Sequence, residues 1–314
     1  MSLRGPPEER SATELLSFGV VSLDKPPGPS AHQVAGWVRD AVSDALEART
    51  GDRGVEKAAH GGTLDPKVTG CLPVLLGTAP RAAQVFLDGD KEYVAVLELH
   101  GPAPSSLDEV LAEFEAPLYQ TPPRKSAVAR RRRVREVYDL DALDVRERQV
   151  LLRIRCESGT YVRKLCHHLG LALGTGGHMG DLRRMATDPF DDRDLVTMHD
   201  LVDALAAWRE DGDEEPLRQV VDPAERALSH LPSLTIAPSA AREVAEGAPV
   251  YGPGVLDAEV AETSEGTAPG GNGTDQRPLV ACYTPDGAAV CLGRLVGDPD
   301  ADEGTVVDLE RVLV

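Results

Sequence analysis

Aromatic residues and lysine are scarce in this chain of 314 residues. It contains 4 Phe, 2 Trp and 6 Tyr, so Val, Leu and Ala have to fill most of its core. Only 6 of the 33 basic residues are Lys, and 52 acidic residues give a net charge of −19. An acidic surface poor in lysine suits a cytoplasm of very high salt, where screening reduces self-repulsion. The composition indicates a halophile; the alternative is an ordinary acidic cytosolic protein from a genome that favours Arg codons.

The sequence also lacks paired cysteines and long apolar runs. None of its 5 Cys is part of a C-x-x-C pair, and no window of 18 apolar residues exists. Cys166 is adjacent to His167 and His168, which is poor geometry for binding one metal ion. The N-terminal residues do not resemble a signal peptide. We therefore expect a reduced, cytoplasmic protein with no metal and no membrane span.

Changes in sequence texture along the chain predict two domains after a short arm. Residues 1–17 mix Pro, Glu, Arg and Ser without periodicity, which predicts a flexible arm. Residues 18–231 alternate strand and helix patterns, and the sequence after Leu231 consists mainly of short valine-rich runs with turn signals. Residues 232–314 are therefore expected to form a small β barrel or sandwich. The stretch 261–278, rich in Gly, Thr and Pro, is predicted to be a flexible loop.

Several elements have specific local signals. Ser30 with Gln33 and Thr197 with Asp200 match the capping box that begins a helix. The sequence "KEYVAVLEL" over 91–99 predicts a buried strand. In "VLLRIRCE" over 150–157, apolar residues alternate with Arg153 and Arg155, which predicts a strand with one core face and one basic face. Together these patterns predict an α+β fold.

One segment of this acidic chain is strongly basic. The sequence "PRKSAVARRRRVR" over 123–135 has no acidic residue, and its basic members are Arg124, Lys125, Arg130, Arg131, Arg132, Arg133 and Arg135. The Debye length is about 3 Å at 1 M salt, so a polyanion in brine responds to this local cluster more than to the total charge. Further basic residues would extend the cluster if the fold brings them together: Arg153, Arg155, Arg163, Lys164, Arg183 and Arg184. The alternative interpretation is a charged run on a solvated loop.

The stretch "HGGTLDPKVTG" over 60–70 is shaped to present a single aspartate. Asp65 precedes Pro66, which restricts its backbone to extended conformations and so fixes the direction of its side chain. Gly61 and Gly62 would let a bulky partner approach the backbone. Gly-Gly and Asp-Pro are also ordinary turn dipeptides, and most such turns do no chemistry, so the stretch by itself is more typical of a plain turn.

Ordered motifs give the chain a specific resemblance. "HGGTLDPKVTG", "KEYVAVLELHG", "CESGTYVRKLCHHLG" and "GHMGDLRRMATDPF", preceded by "SLDKPPGPSAHQV", resemble the motifs of the TruB/dyskerin family of RNA pseudouridine synthases. "LDPKVTG" and "TPPRKSAVARRRRVREVY" are more similar to the archaeal and eukaryotic dyskerin branch. The C-terminal part resembles a PUA domain, a small RNA-binding barrel. The resemblance implies a mixed, mostly antiparallel sheet with flanking helices in 18–231 and a PUA domain in 232–314.

The resemblance also implies roles for individual residues, and it implies no metal and no cofactor. Asp65 corresponds to the catalytic aspartate, Arg163 to the arginine that pairs with it, and Tyr93 to the aromatic ring that stacks on the target base. The residues expected to contact substrate or RNA are His60, Leu182, Lys25, Tyr161, Arg130, Arg131, Arg132 and Arg133, with Lys25 more a support of the loop than a chemical group. The chain departs from the family at Gly61, where Ser or Thr is usual.

Several functions fit this resemblance. The leading hypothesis is the catalytic subunit of an archaeal box H/ACA ribonucleoprotein, acting on rRNA with a guide RNA and small protein partners. The alternatives are an enzyme that modifies the T loop of tRNA without a guide, at position 55, and an RNA-binding scaffold without turnover. A glycosidase would need a second catalytic acid at a suitable spacing, and no such pair stands out.

Overall fold

The computed structural model describes residues 3–52, 54–87, 89–123, 129–260 and 277–314. In these ranges helices pack against two β-sheets. The helices of the described residues are α1 (Ala12–Ser17), α2 (Ala31–Thr50), α3 (Leu107–Glu113), α4 (Val162–Ala172), α5 (Met198–Asp211), α6 (Glu215–Val220) and α7 (Pro238–Ala245). The strands of the first sheet are β1 (Gly19–Lys25), β2 (Ala58–His60), β3 (Thr69–Leu76), β4 (Lys91–Leu99), β5 (Pro117–Gln120), β6 (Arg133–Arg146), β7 (Gln149–Cys156), β8 (Gly177–Thr187), β9 (Phe190–Asp191) and β10 (Asp222–Pro223).

The first sheet is mixed and mostly antiparallel, as expected. Its strand order is β10-β1-β3-β8-β4-β7-β6-β5, with β2 beside β3 and β9 beside β8. Among the described strands of this sheet, β3 and β8 form the parallel pair, in which Thr69 lies opposite Arg183. This pairing brings the turn before β3 next to β8. The α+β prediction is confirmed.

Helices on this sheet begin where local capping predicted. Ser30 and Gln33 form a capping box at α2, and Thr197 and Asp200 form one at α5. Both helices bury apolar side chains in one cluster with β1 and β3. A second cluster joins α4 to β4 and β7. In β7 the residues Val150, Leu152, Ile154 and Cys156 are buried, which confirms the predicted alternation.

The second sheet begins at Ser233, close to the predicted boundary at residue 231. Its strands are β11 (Ser233–Ile236), β12 (Val250–Tyr251), β13 (Val255–Glu259), β14 (Leu279–Tyr283), β15 (Ala289–Leu295) and β16 (Thr305–Val312). They lie in the order β12-β16-β15-β14-β11-β13. One apolar cluster contains residues of both sheets, such as Val20 and Leu292, so the two parts share a core. The division into 18–231 and 232–314 stays a prediction, and residues 261–276 of the predicted loop lie outside the described residues.

The described part of the N-terminal arm is folded, which corrects the flexible arm expected over 1–17. A capping box of Ser11 and Glu14 begins α1, and Leu15 and Leu16 are buried against the first sheet. Arg10 is also buried and forms an ion pair with Glu225 at 2.7 Å. Sequence periodicity missed this segment because the helix is only 6 residues long and its stability comes from tertiary contacts.

Candidate active site

Asp65 lies in the tight turn between β2 and β3. The backbone N–H of Val68 donates to the Asp65 carbonyl at 3.0 Å, which closes the turn. Gly70 follows with φ +97°, and a Cβ there would lie 2.2 Å from the Arg184 carbonyl oxygen, so only glycine fits. The Asp65 side chain is 50% exposed. The turn therefore presents one carboxylate to solvent.

Arg163 forms an ion pair with this carboxylate. It lies in the first turn of α4, outside the buried stripe that contains Val162, Leu165 and Leu169. The Arg163 side chain is 48% exposed, so the pair lies at the surface, where a substrate could reach it. The structure thus brings together the aspartate and the arginine that the resemblance implies are partners. An ion pair of this kind holds the carboxylate in a defined orientation.

Lys25 fixes the turn that carries Asp65 from the interior of the protein. It ends β1, is fully buried, and its ammonium donates to the carbonyl oxygens of Pro26, Pro66 and Val68 at 2.9, 3.1 and 2.7 Å. Three donors are thus matched by three acceptors. Lys25 has no exposed surface for RNA, so its assignment among the RNA-binding residues was wrong. Its contacts agree instead with support of the loop that carries Asp65.

Tyr93 lies in the middle of β4, between β7 and β8. Its side chain is almost buried, with 9% of the residue exposed, and burial raises the pKa of its hydroxyl. The nearby charge of the buried Arg184 guanidinium acts on this pKa in the opposite direction. Arg184 donates to the carbonyl of Cys71 at 2.7 Å and to that of Gly62 at 3.4 Å. Arg184 therefore connects Tyr93 to the segment that leads to Asp65.

Arg184 is buried, so it does not extend the positive cluster as it would have done at the surface. Arg183 and Arg184 are neighbours on β8, and successive side chains of a strand point to opposite faces. One of the two therefore had to point inward. Arg183 remains nearer the surface and forms an ion pair with Asp24 at 2.8 Å. Strand alternation in "LRRM" was the signal that could have identified the buried arginine.

Leu182 and His60 lie next to these residues. Leu182 is half-buried, opposite Ala95 of β4, and packs against the cluster that contains Tyr93. His60 ends β2, and its Nδ1 is buried with no hydrogen-bond partner among the residues that the structure describes. Burial lowers the pKa of His60 below its ordinary value, and the charge of Arg184 lowers it further. His60 is therefore neutral at pH 7.

The described arginines of the basic segment lie on and before β6, close to the start of α4. Arg130, Arg131 and Arg132 are exposed, and Arg133 is half-buried. The Arg132 guanidinium lies 4.9 Å from the ring centre of Tyr119, and that of Arg133 lies 6.0 Å from the ring of Tyr161. Tyr161 immediately precedes α4 and Arg163. Arg124 and Lys125, the first basic residues of this segment, lie outside the described residues.

The predicted basic face of β7 is neutralised. Arg153 pairs with Asp141 at 2.9 Å, and Arg155 pairs with Asp139 at 2.7 Å. Both aspartates lie on the neighbouring strand β6. Arg155 also contacts Asp90 at 2.9 Å. The arginines of β7 therefore do not extend the positive surface, which corrects that expectation.

The described residues offer no group of three or more His, Cys, Asp or Glu side chains that could hold a metal ion. Burial raises the pKa of the Cys71 thiol to about 11 and that of Cys166 to about 12. Both thiols are therefore protonated at pH 7 and pack as apolar groups. Along the described ranges, each helix is too short or too polar to cross a membrane.

Three family models match parts of the chain. The TruB family pseudouridylate synthase N-terminal domain matches residues 52–106, and the tRNA pseudouridylate synthase B C-terminal domain matches residues 163–229. The DKCLD (NUC011) domain matches residues 5–35. The matches include Asp65 and Tyr93 in one model, Arg163 in the second and Lys25 in the third.

Curated relatives match over nearly the whole chain. A protein of Halobacterium salinarum named "Probable tRNA pseudouridine synthase B" is 64% identical, and the match covers 100% of both chains. A protein of Methanopyrus kandleri with the same name is 44% identical over 98% of this chain and 86% of its own. The halobacterial relative agrees with the halophilic source that the composition indicated.

Solved structures have the same fold. The chain in the crystal structure of a Cbf5-Nop10-Gar1 complex superposes with a TM-score of 0.87 at 41% identity, covering 100% of this chain and 90% of that one. A chain in the structure of an H/ACA RNP bound to a substrate RNA containing 2′-deoxyuridine gives 0.84 at 39% identity, covering 99% and 90%. The observed architecture is therefore shared by a chain of a Cbf5-Nop10-Gar1 complex and by a chain of an H/ACA RNP.

Proposed function

Because the chain belongs to the TruB family of pseudouridine synthases, we propose that it isomerises uridine in RNA with Asp65 as the catalytic carboxylate. Membership makes the chain an RNA pseudouridine synthase. The proposal adds the residues that carry out the reaction and the way in which the target is chosen. Asp65 is the catalytic group, Arg163 orients it, and the target base stacks on Tyr93.

Pseudouridine formation rearranges one nucleotide without changing its composition. The bond between N1 of uracil and C1′ of ribose breaks, and C5 of the same base becomes bonded to C1′. The proton on C5 is lost and N1 gains one, so no electron is transferred. The reaction therefore requires a carboxylate beside the nucleotide and a pocket in which the base can turn. Asp65 provides the carboxylate in this proposal.

The ion pair between Asp65 and Arg163 is the observation that carries the proposal. Half of each side chain is exposed, although the turn that carries Asp65 is fixed internally by Lys25. Exposure alone does not distinguish this pair, because the Arg153–Asp141 pair is equally exposed. The Asp65 carboxylate is both accessible and carried by a turn that is fixed from the protein interior. Catalysis requires both properties, because the reacting groups must be aligned before the substrate arrives.

A uridine in structured RNA has to leave its stack to reach Asp65, and flipping costs a few kcal/mol. Stacking on one aromatic ring returns about 1–3 kcal/mol. We assign this contact to the ring of Tyr93, with Leu182 as the apolar wall of the pocket. His60 is neutral and positions the RNA without adding charge beside Asp65.

Phosphate contacts supply further binding free energy. The exposed arginines Arg130, Arg131 and Arg132 are suited to this task, with Arg133 beside Tyr161 at the edge of the site. They lie close in sequence to Tyr119 and hold no carboxylate partner among the described residues. In this proposal the arginines and Tyr161 guide the target strand toward Asp65.

The target is selected by a guide RNA in our proposal. Solved relatives are found in a complex with Nop10 and Gar1 and in an H/ACA RNP bound to substrate RNA. We extend this to the present chain: residues 232–314 form a PUA domain that holds the guide RNA, and small proteins similar to Nop10 and Gar1 complete the particle. The assembly modifies rRNA in the cytoplasm.

The experiment is a reconstitution with the purified chain, its small protein partners, a guide RNA and a matching target, in KCl at molar concentration. Asp65→Asn should abolish pseudouridine formation and leave RNA affinity within about threefold, since one uncharged replacement at an exposed site removes few contacts. Asp108→Asn, at an exposed site on α3, is the control and should be fully active. Activity in Asp65→Asn would refute the assignment.

A second function, guide-free modification of tRNA, is favoured by the names of the curated relatives, which are called tRNA pseudouridine synthase B. The same enzyme preparation should be incubated with tRNA alone and with guide and partners. Modification of the T-loop uridine at position 55 without a guide would support this function. Robust guide-free activity with none in the assembled particle would overturn the guide-directed proposal.

A further inference from the structure

Gln120 connects the basic segment to the catalytic helix. It is the last residue of β5 and only 1% exposed. Its side-chain Oε1 accepts the backbone N–H of Tyr161 at 2.9 Å, and its Nε2 donates to the Tyr161 carbonyl at 3.4 Å. The Gln120 amide therefore bonds to both the N–H and the carbonyl of Tyr161, the residue that caps α4. Because the Tyr161 N–H needs an acceptor, the amide atom that faces it is the oxygen.

This contact replaces a local cap. The helices α1, α2 and α5 each begin with a capping box, in which a Glu, Gln or Asp in the first turn accepts the N–H of the capping residue. In α4 the capping residue is Tyr161, which makes no side-chain capping bond. The corresponding first-turn residue is Lys164, which has no acceptor. Gln120 supplies the missing acceptor from a different strand.

The position of Arg163 depends on this start of the helix. Arg163 is the second residue of α4, and the Tyr161 carbonyl that Gln120 contacts also accepts the N–H groups of Lys164 and Leu165 at 2.9 and 3.0 Å. Displacement of Tyr161 would move the first turn as a unit and change the reach of the guanidinium toward Asp65. Misplacement by about 1 Å can reduce a catalytic rate by about a hundredfold.

Gln120 also lies where the basic segment leaves the sheet. Thr121, Pro122 and Pro123 follow it directly, and the prolines limit backbone freedom. Arg130 donates to the Pro122 carbonyl at 3.3 Å, and Arg133 is the strand partner of Gln120. Gln120 is therefore linked to the arginines through its strand partner Arg133 and through the segment that Arg130 contacts.

We propose that Gln120 is a positioning residue that sets the Asp65–Arg163 pair and links it to RNA bound by Arg130–Arg133. The inference rests on the proposed function, since it assumes that this pair performs the reaction. It adds a group that touches neither substrate nor the reacting atoms. It also gives the arginines a second role, because RNA that binds them stabilises the start of α4.

The test measures single-turnover pseudouridine formation at saturating RNA, together with RNA affinity, in the assembled particle. Gln120→Ala should slow the reaction by about 10- to 100-fold and change the dissociation constant by less than about threefold. Gln149→Ala is the matched control, because Gln149 is exposed and its amide donates to Glu98. It should keep the wild-type rate. A wild-type rate in Gln120→Ala overturns the proposal.

Gln120→Glu gives a signature that a loss of folding cannot imitate. The carboxylate still accepts the Tyr161 N–H but faces the Tyr161 carbonyl without a proton to donate. Protonation restores the donor, so the rate of this variant relative to wild type should rise as the pH falls from about 8 to about 5. The charged residue opposite Gln120 in the sheet is Arg133. A ratio independent of pH contradicts the two-way hydrogen bond.

A double-mutant cycle separates this inference from the proposed function. If Gln120 acts through Arg163, Gln120→Ala should cause no further loss in an Arg163→Ala background, because the two effects share one interaction. Independent losses that multiply would overturn the link. If Asp65→Asn and Arg163→Ala are both fully active, the proposed function itself has failed. If both are inactive and Gln120→Ala is not impaired, only the present inference has failed.

Discussion

The ammonium of Lys25 lies 2.7 Å from the carbonyl oxygen of Val68, across the base of the turn that presents Asp65. This contact joins the end of β1 to the start of β3, two strands that also pair along most of their length. A charged donor in a buried position bonds more strongly to a carbonyl than it would in water. The turn is thus held by a side chain that never meets the substrate.

Lys25→Met should loosen the turn while keeping most of the buried volume. The carbonyls of Pro26, Pro66 and Val68 would lose a donor, and the free energy of unfolding should fall by about 1–3 kcal/mol. The rate of pseudouridine formation should fall by about 10- to 100-fold, because Asp65 is no longer aligned, with RNA affinity nearly unchanged. Chemical denaturation and single-turnover kinetics measure the two effects.

Lys67→Met is the control for this prediction. Lys67 lies in the same turn but is exposed, so its replacement should change the free energy of unfolding by less than about 0.5 kcal/mol. A Lys25→Met protein that is destabilised and yet reacts at the wild-type rate would show that the contacts of Lys25 do not position Asp65.

His60 should make the protein less stable in mild acid. Burial lowers its pKa in the folded chain, whereas in the unfolded chain it titrates near pH 6.5. Below about pH 6.5 the unfolded state therefore binds more protons, and the free energy of unfolding falls as the pH falls. His60→Asn cannot take up this proton, so the free energy of unfolding of wild type should fall relative to that of the variant between about pH 7 and about pH 5.

Chemical denaturation of wild type and His60→Asn at several pH values and constant salt gives the free energies of unfolding that test this prediction. His199→Asn removes a histidine from the exposed surface of α5 and leaves the buried His60 in place, so it serves as the control. Parallel curves for wild type and His60→Asn would mean that the buried Nδ1 does not oppose protonation.

The sequence predicted those parts of the fold that depend on neighbours along the chain. The capping boxes at Ser30 and Thr197 and the alternation in β7 are local, and the structure has all three. The helix α1 and the buried Arg10 were missed, because their stability comes from contacts with Glu225 and the first sheet. Tertiary contacts of this kind leave no periodic signal in a short segment.

The same limit applies to the site. The turn around Asp65 has a local signal, but its partner Arg163 could be identified only by resemblance, since the two are far apart in sequence. The charge of β7 could not be predicted either, because neutralisation of Arg153 by Asp141 depends on the register between β6 and β7. A count of arginines therefore overestimates the positive surface that the fold leaves available.

The distinction between free and neutralised arginines leads to a prediction on RNA binding. A triple variant with Arg131, Arg132 and Arg133 changed to Ala should lower the slope of log K against log salt by about 0.7–0.9 for each phosphate that is no longer neutralised, hence by about 2.1–2.7 if each arginine neutralises one phosphate. The paired variant Arg153→Ala with Arg155→Ala should keep the wild-type slope, because Asp141 and Asp139 already neutralise these side chains.

Binding isotherms of the same RNA at several KCl concentrations give both slopes. The arginines of the triple variant lie at and just before the start of β6, the strand next to β7, and they differ from the β7 arginines in having no paired carboxylate among the described residues. The two β7 arginines are about half exposed, so their surface ion pairs should contribute only about 0–1 kcal/mol to folding. Equal slopes for the triple variant and wild type would contradict the assignment of RNA phosphates to Arg131–Arg133. A reduced slope in the variant of Arg153 and Arg155 would mean that RNA displaces the aspartates from these two arginines.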